Sequence, residues 1–322
     1  MAIAPIAPPM ERLTSDVPVP EHLRNAVVAL GNFDGFHRGH QAVVARARGI
    51  AHAEGRPLIV ATFSPHPSRI FHPDAPFFRL TTLDQRERLF AAAGADAMLV
   101  FHFNRALAEV SADDFVKDWL IDRIGAAVVV TGQDFTYGKG RAGSVDLLQQ
   151  RGPELGLRAE SVGPVSDAEG PISSSRIREA LQNGDCETAT RLLTRPFAIE
   201  GEVQHGDKLG RSIGYPTANI PFDRYQRPAF GIYAVRGHLP DGRIVGGAAN
   251  LGIRPTFDPP KELFEPHFFD FSGDLYGQTI EVDLVHYIRP EAKFDTLEGL
   301  IAQIDADCAE AKRVLAATPA NP

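Results

Sequence analysis

Between residues 25 and 165 of this 322-residue chain, five short apolar runs alternate with helix-like segments. The runs span 26–30, 58–63, 97–101, 126–131 and 157–162. Strands joined through helices run parallel, because a parallel pair needs a long crossover. Val128-Val129-Val130 is apolar without alternation, as in a strand covered on both faces. The expected architecture is therefore α/β: a doubly wound parallel sheet with helices on either side. Thr82-Leu83-Asp84-Gln85 and Ser111-Ala112-Asp113-Asp114 carry capping-box patterns that start two of those helices. In such sheets ligands bind beyond the carboxyl ends of the strands. Three polar loops fall there, 31–40, Pro65-His66-Pro67 and 131–138.

Near residue 197 the pattern changes. Runs at 198–204, 231–238, 243–250, 263–269 and 279–287 follow one another without long helices, and Asp241-Gly242 is a hairpin turn between two of them. This predicts a small antiparallel β-barrel. Leu297, Leu300, Ile301, Ile304, Cys308, Ala311 and Leu315 recur at helical spacing, so a terminal amphipathic helix should pack on it. Segments 174–182 and 186–193 read as two short helices around Asn183-Gly184. The expected division is a proline-rich, loosely ordered tail over 1–24, a first domain over 25–186 and a second over 187–322.

Hydrophobic residues are 43% and charged residues 23%, a soluble globular balance. A net charge of -8 argues against a nucleic-acid partner. No apolar run is long enough to cross a membrane, and residues 1–20 lack the order of a signal peptide. Cys186 and Cys308 lie far apart without metal-ligand spacing, compatible with a reducing cytoplasm.

The loop Gly31-Asn32-Phe33-Asp34-Gly35-Phe36-His37-Arg38-Gly39-His40 joins a strand end to a helix expected over 41–53. A helix N-terminus offers unpaired N–H groups and partial positive charge, which suit phosphate. His37 and His40 would share one face of the first turn, and Gly39 would let a base or phosphate approach the backbone. Thr131-Gly132-Gln133-Asp134-Phe135-Thr136-Tyr137-Gly138 fits a grip on a planar ring with one polar anchor, although taken alone it reads better as a glycine loop with its aromatics in the core. Ser173-Ser174-Ser175-Arg176-Ile177-Arg178 opens a helix, and its arginines offer planar donors for phosphate or simply face solvent.

In the second half, Gly210-Arg211-Ser212-Ile213-Gly214-Tyr215-Pro216-Thr217-Ala218-Asn219 reads as a loop able to fold over phosphates with Lys208, or as a proline turn. Thr217 and Asn219 are hard oxygen donors, acceptable to Mg2+ once substrate phosphates complete the shell. Asn250-Leu251-Gly252-Ile253-Arg254-Pro255-Thr256-Phe257 reads as another polar loop leaving a strand. Glu265, amid apolar neighbours, is either a solvent-facing strand residue or a buried base with a raised pKa.

His37-x-Gly39-His40 with Ser173-Ser174-Ser175-x-Ile177-Arg178 resembles the nucleotidyltransferases that use a HIGH-like motif in a Rossmann-like domain. The longer string 31–40, with 131–138, resembles the FMN adenylyltransferase module of bacterial bifunctional riboflavin kinase/FAD synthetases. Gly214-Tyr215-Pro216-Thr217-Ala218-Asn219, Gly231-Ile232-Tyr233-Ala234, the 250–257 loop and Gly273-Asp274-Leu275-Tyr276-Gly277 resemble its riboflavin kinase module.

The resemblance implies phosphorylation of riboflavin to FMN, then adenylylation of FMN to FAD, with ATP as the donor in both steps and Mg2+ as the metal. It implies catalytic roles for Glu265, His37, His40 and Arg178. ATP contacts fall on Gly31, Phe33, Asp34, Gly35, Gly39, Ser174, Ser175, Lys208, Arg211, Gly214 and Pro216. Flavin contacts fall on Asp134, Phe135, Tyr137, Asn250 and Arg254, and metal contacts on Thr217 and Asn219. Partners are then small molecules alone. Phe36 replaces a smaller aliphatic residue and would reshape the nucleotide pocket; Thr194 replaces a glycine before Arg195-Pro196; Pro266 predicts an edge or bulge beside Glu265. The alternatives are an enzyme retaining one of the two activities, and a flavin-binding sensor, which would not need Glu265 or both histidines.

Overall fold

The computed structural model describes residues 10–74, 79–206, 210, 213–222, 225–254 and 261–318, with backbone alone at 254 and 261. Its contacts form two compact units, Met1–Pro76 with Leu83–Ile172, and Phe77–Thr82 with Ser173–Pro322. The division expected at 186 thus moves: the helix Ser174–Gln182 groups with the second unit.

The first unit contains strands β1 (Glu11–Thr14), β2 (Ala26–Leu30), β3 (Leu58–Ser64), β4 (Ala97–His102) and β5 (Ala126–Gly132). Short strands β6 (Thr136–Tyr137) and β7 (Gly143–Ser144), then β8 (Arg158–Val162), β9 (Ser166–Asp167) and β10 (Gly170–Pro171) complete it. Its helices are α1 (Arg38–Glu54), α2 (Pro67–Phe71), α3 (Leu83–Ala92), α4 (Arg105–Ala108), α5 (Ala112–Asp114), continued by a π-helical stretch Phe115–Arg123, and α6 (Val145–Arg151). The main sheet is parallel, in the order β1-β4-β3-β2-β5-β8.

Unbroken apolar runs serve both faces because successive side chains alternate. Val27, Ala29, Val128 and Val130 join Val43, Val44 and Ala47 of α1 and Phe90 of α3 in one core. Val28, Leu30 and Val129 join Phe115, Leu120 and Leu148 in the other. The tail expectation needs correction: residues 11–14 form the edge strand β1, paired with β4. Leu13 packs on the core, and Arg12 reaches Asp84 of α3 at 2.6 Å, which ties the edge down.

From β2 the chain moves outward through β3 to β4, then returns to β5 on the other flank of β2. Strand order reverses there, and sheets of this kind bind ligands beyond the carboxyl ends of the strands at that point, here β2 and β5. The 31–37 and 132–138 loops leave those two ends.

The second unit contains α7 (Ser174–Gln182), α8 (Cys186–Leu193), strands β11 (Phe197–Glu202), β12 (Gly231–His238), β13 (Ile244–Arg254), β14 (Lys261–Phe268), β15 (Thr279–Arg289) and α9 (Leu297–Ala317). The antiparallel sheet has the order β11-β15-β12-β13-β14. Asn219 bridges Gln204, just beyond β11, and Ile220 bridges Phe264 of β14. One short segment thereby links the first strand to the last and closes the curled sheet into a barrel. Asp241-Gly242 makes the expected turn, with Gly242 at φ 85°.

Helix α9 packs Ala311 against Ala234 and Ala248. Its apolar stripe is shorter than the spacing suggests: Leu297 is 54% exposed, whereas Asp307 is buried. Asp307 holds Arg289 at the end of β15 through two bonds, 2.8 and 2.6 Å.

Thr194 ends α8 at φ 66°, the left-handed region where a β-branched residue is strained and glycine is not. This explains why a glycine is expected there. Thr194→Gly should raise unfolding stability by about 1 kcal/mol, read from urea denaturation.

Candidate active sites

At the end of β2 the chain turns sharply, with φ of 49° at Phe33, 84° at Gly35 and 46° at Phe36. Phe33 and Phe36 consequently point inward. Phe36 is buried edge-on to Phe90 at 5.2 Å, so its extra bulk fills core rather than pocket, correcting the expectation for that position. The Phe33 ring is 1% exposed and meets Phe90 and His40 edge-on. Asp34 is buried too, with Arg86 Nη2 donating to its Oδ1 at 3.0 Å. Arg86 Nη1 also donates to the Asn32 carbonyl and to Thr62 Oγ1, each at 3.2 Å, and Thr62 Oγ1 donates to the same carbonyl at 2.6 Å. The Phe33 and Asp34 side chains therefore face the interior, and the backbone of the turn is held in shape from beneath. Arg86 belongs to no sequence motif; only the packing of α3 under the turn reveals it.

His37 caps α1: its Nδ1 accepts from Gly39 N at 3.2 Å and His40 N at 3.4 Å. An accepting Nδ1 leaves the ring proton on Nε2, so Nε2–H is the donor that this ring presents. The His37 and His40 rings stack at 3.6 Å, on one side as expected. Gly39 also serves the cap. A Cβ there would lie 3.1 Å from His37 Cε1, so the missing side chain makes room for the capping imidazole itself.

Beyond β5, Asp134 is exposed and Phe135 half-buried. Tyr137 is a core residue, packed on Phe115 at 5.5 Å and lying over Gly143, where a Cβ would come within 2.4 Å of the ring. Burial pushes its phenol up from the usual value. The flavin-platform expectation for Tyr137 is thus corrected to the core alternative. In the second unit Ser173 caps α7, accepting from Arg176 N at 3.3 Å. Ser174 and Ser175 form the first turn, and half-buried Arg178 follows.

The barrel brings the remaining residues into one row. Ile220 and Phe264 exchange N–H···O bonds of 2.9 and 3.2 Å, and Ala218 N donates to Pro266 O at 2.9 Å. That register sets Asn219 opposite Glu265. On the other flank of β14, Glu265 pairs with Asn250 of β13. Side chains of such neighbours stand about 5 Å apart, so Asn219, Glu265 and Asn250 form one lateral row. Thr217, two residues before Asn219 in the extended segment, shares its face. Glu265 is 7% exposed although it points away from Phe264 and Phe268. Pro266 is accommodated because the N–H it lacks would face the closing segment and not the β13 ladder.

The closing segment is held in place. His267 Nδ1–H donates to Pro216 O at 2.9 Å, and Tyr215 Oη donates to Asp305 of α9 at 2.5 Å. The Asp305 bond pushes the Tyr215 phenol up to about 12. Gly214 turns at φ 93° just before. Glu291, after β15, also enters the row by accepting a hydrogen bond from the Asn250 amide. Loss of water raises its carboxyl above the usual range, the Asn250 bond opposes this, and the Glu265 charge adds to the rise. Nothing in the sequence pattern singled Glu291 out. Lys208, Arg211, the Arg254 side chain and the loop that follows lie outside the described residues.

Residues 19–176 match the family model for FAD synthetase, and residues 193–315 match the one for riboflavin kinase. A bifunctional riboflavin kinase/FMN adenylyltransferase of Pseudomonas fluorescens is 41% identical over 303 residues, covering 94% of this chain and 96% of its own. This chain belongs to that bifunctional family. The Bacillus subtilis (strain 168) riboflavin kinase/FMN adenylyltransferase is 38% identical over 302 residues, 92% of this chain and 94% of its own. Among solved structures, one described as a macrolide-efflux protein from Streptococcus pneumoniae superposes with a TM-score of 0.84 at 32% identity, covering 94% of this chain and 99% of that one. Among the described residues here, no helix is long and apolar enough to cross a membrane. The FAD synthetase match contains the His37–His40 turn, and the riboflavin kinase match contains the whole Thr217, Asn219, Asn250 and Glu265 group.

Proposed function

We propose that the barrel phosphorylates riboflavin on its ribityl 5′-hydroxyl, and that the parallel-sheet unit joins the resulting FMN to AMP from a second ATP, giving FAD and pyrophosphate. The observation that carries this is the row Asn219–Glu265–Asn250, drawn from three separate segments. Glu265 takes the proton as the hydroxyl oxygen attacks the γ-phosphorus; the bond to the β,γ-bridging oxygen breaks and ADP leaves. Asn250 is assigned to the flavin. Thr217 and Asn219 fit a hard cation, because their oxygens share one face of an extended segment beside a carboxylate. Among the described residues no cluster of three His, Cys, Asp or Glu is placed to hold a metal, so substrate phosphates would supply further ligands. Mg2+ there would neutralise phosphate charge.

In the second step the FMN phosphate is already an anion and needs no protein base. Its oxygen attacks the α-phosphorus, the bond to the α,β-bridging oxygen breaks, and charge grows on departing pyrophosphate. Imidazole N–H groups from His37 and His40 stabilise that charge. His40→Ala should slow adenylylation of supplied FMN by about 10²–10³-fold and leave riboflavin phosphorylation unchanged.

The test of the whole reading is a time course with purified protein, riboflavin, ATP and Mg2+, with flavins separated chromatographically. FMN should rise and fall as FAD accumulates. FMN that only accumulates would reduce the chain to a kinase, and unchanged riboflavin would remove the kinase activity, with a parallel run on supplied FMN deciding the adenylylation.

A further inference from the structure

The geometry points to Glu291 as a positioning residue of the kinase site, acting through Asn250. The inference rests on the phosphoryl-transfer role given to the barrel row above. Three features build the arrangement. The Arg289 guanidinium grips buried Asp307 of α9 with two bonds and also donates to the carbonyl of Pro290 at 2.8 Å. Gln303 adds a third contact to Asp307, at 3.0 Å. The peptide leading into Glu291 is therefore fixed from the C-terminal helix. Second, the Glu291 carboxylate lies against the backbone of Gly252, where a Cβ would come within 2.0 Å of its Oε1. Glycine at 252 is what admits it. Third, Asn250 lies two residues before Gly252 on the same face of β13, so the carboxylate that covers Gly252 stands beside the Asn250 amide, which donates to it, and Asn250 faces Glu265 in register on the adjoining strand.

An amide that donates to Glu291 has one orientation, with its carbonyl oxygen turned the other way. Asn250 thus presents a fixed acceptor beside Glu265, where the ribityl hydroxyl must lie to be deprotonated. Without Glu291 the amide can rotate and offer its NH2 group instead. The terminal helix then contributes more than packing, since it sets an angle within the kinase site through Arg289.

The experiment is steady-state riboflavin phosphorylation by the full chain carrying E291A, E291D, E291Q, N250A or E291A/N250A. Melting temperature is followed alongside. Gln retains the reach and the acceptor without the charge; Asp retains the charge without the reach. E291A and E291D should lower kcat by about 10- to 100-fold with little change in KM for ATP, while E291Q stays within about threefold of wild type. E291A/N250A should be no slower than the slower single variant. The opposite order, with E291D active and E291Q impaired, would overturn the inference, as would kcat losses that multiply in the double variant or an unchanged E291A. Wild-type protein that makes no FMN would instead sink the underlying kinase assignment.

Discussion

Glu265→Gln should lower riboflavin phosphorylation by about 10²–10⁴-fold while KM values change little. The substitution is nearly isosteric, and the side chain is already 7% exposed between Asn219 and Asn250, so packing is retained. What disappears is the acceptor for the hydroxyl proton. Adenylylation of supplied FMN should continue at the wild-type rate, because the turn that carries His37 and His40 stands in the other compact unit. The comparison of riboflavin with FMN as starting substrate is therefore an internal control in one preparation. A loss smaller than about threefold would show that alignment and charge neutralisation suffice, and that Glu265 is not the base.

Arg86→Ala should destabilise the first unit by about 3–5 kcal/mol, measured by urea denaturation. Arg86 and Asp34 side chains are 5% and 3% exposed, so removing one strips the other's buried charge of a directly hydrogen-bonded counter-charge. The same guanidinium also holds the Asn32 carbonyl at the end of β2. The turn that carries His37 and His40 should therefore loosen, and adenylylation should fall in any protein that remains folded. Replacing both partners, as Arg86→Met with Asp34→Leu, should cost less than the two single changes summed. Additive losses would mean that the pair is not coupled as its 3.0 Å bond indicates.

Much of this architecture was legible along the chain because its signals are local and periodic. Runs such as Val128–Val130 announce a strand buried on both faces, and that strand feeds two separate cores. Helices α7 and α8 lie at the residues where capping and turn residues set them. The candidate site was legible as motifs, since Thr217 and Asn219 stand in a short string rich in turn residues and Glu265 is a carboxylate amid apolar neighbours. Their adjacency was not, because it depends on cross-strand register. Phe33, Phe36 and Tyr137 went the other way: motif position suggested ligand contact, whereas a positive φ or core packing turned the rings inward.

From its order of residues alone, this protein had its alternating strands and helices, its change to β structure near residue 197, and the residue types able to handle phosphate and a hydroxyl proton. Those features follow from side-chain polarity and backbone preference over a few neighbouring positions. Tertiary structure decided which distant residues meet: Arg86 under the Gly31–His40 turn, Asn219 and Asn250 on either flank of Glu265, and Glu291 against Gly252 beside Asn250. Such meetings arise from strand register and helix docking, which depend on the packing of the whole unit and leave no periodic trace in sequence.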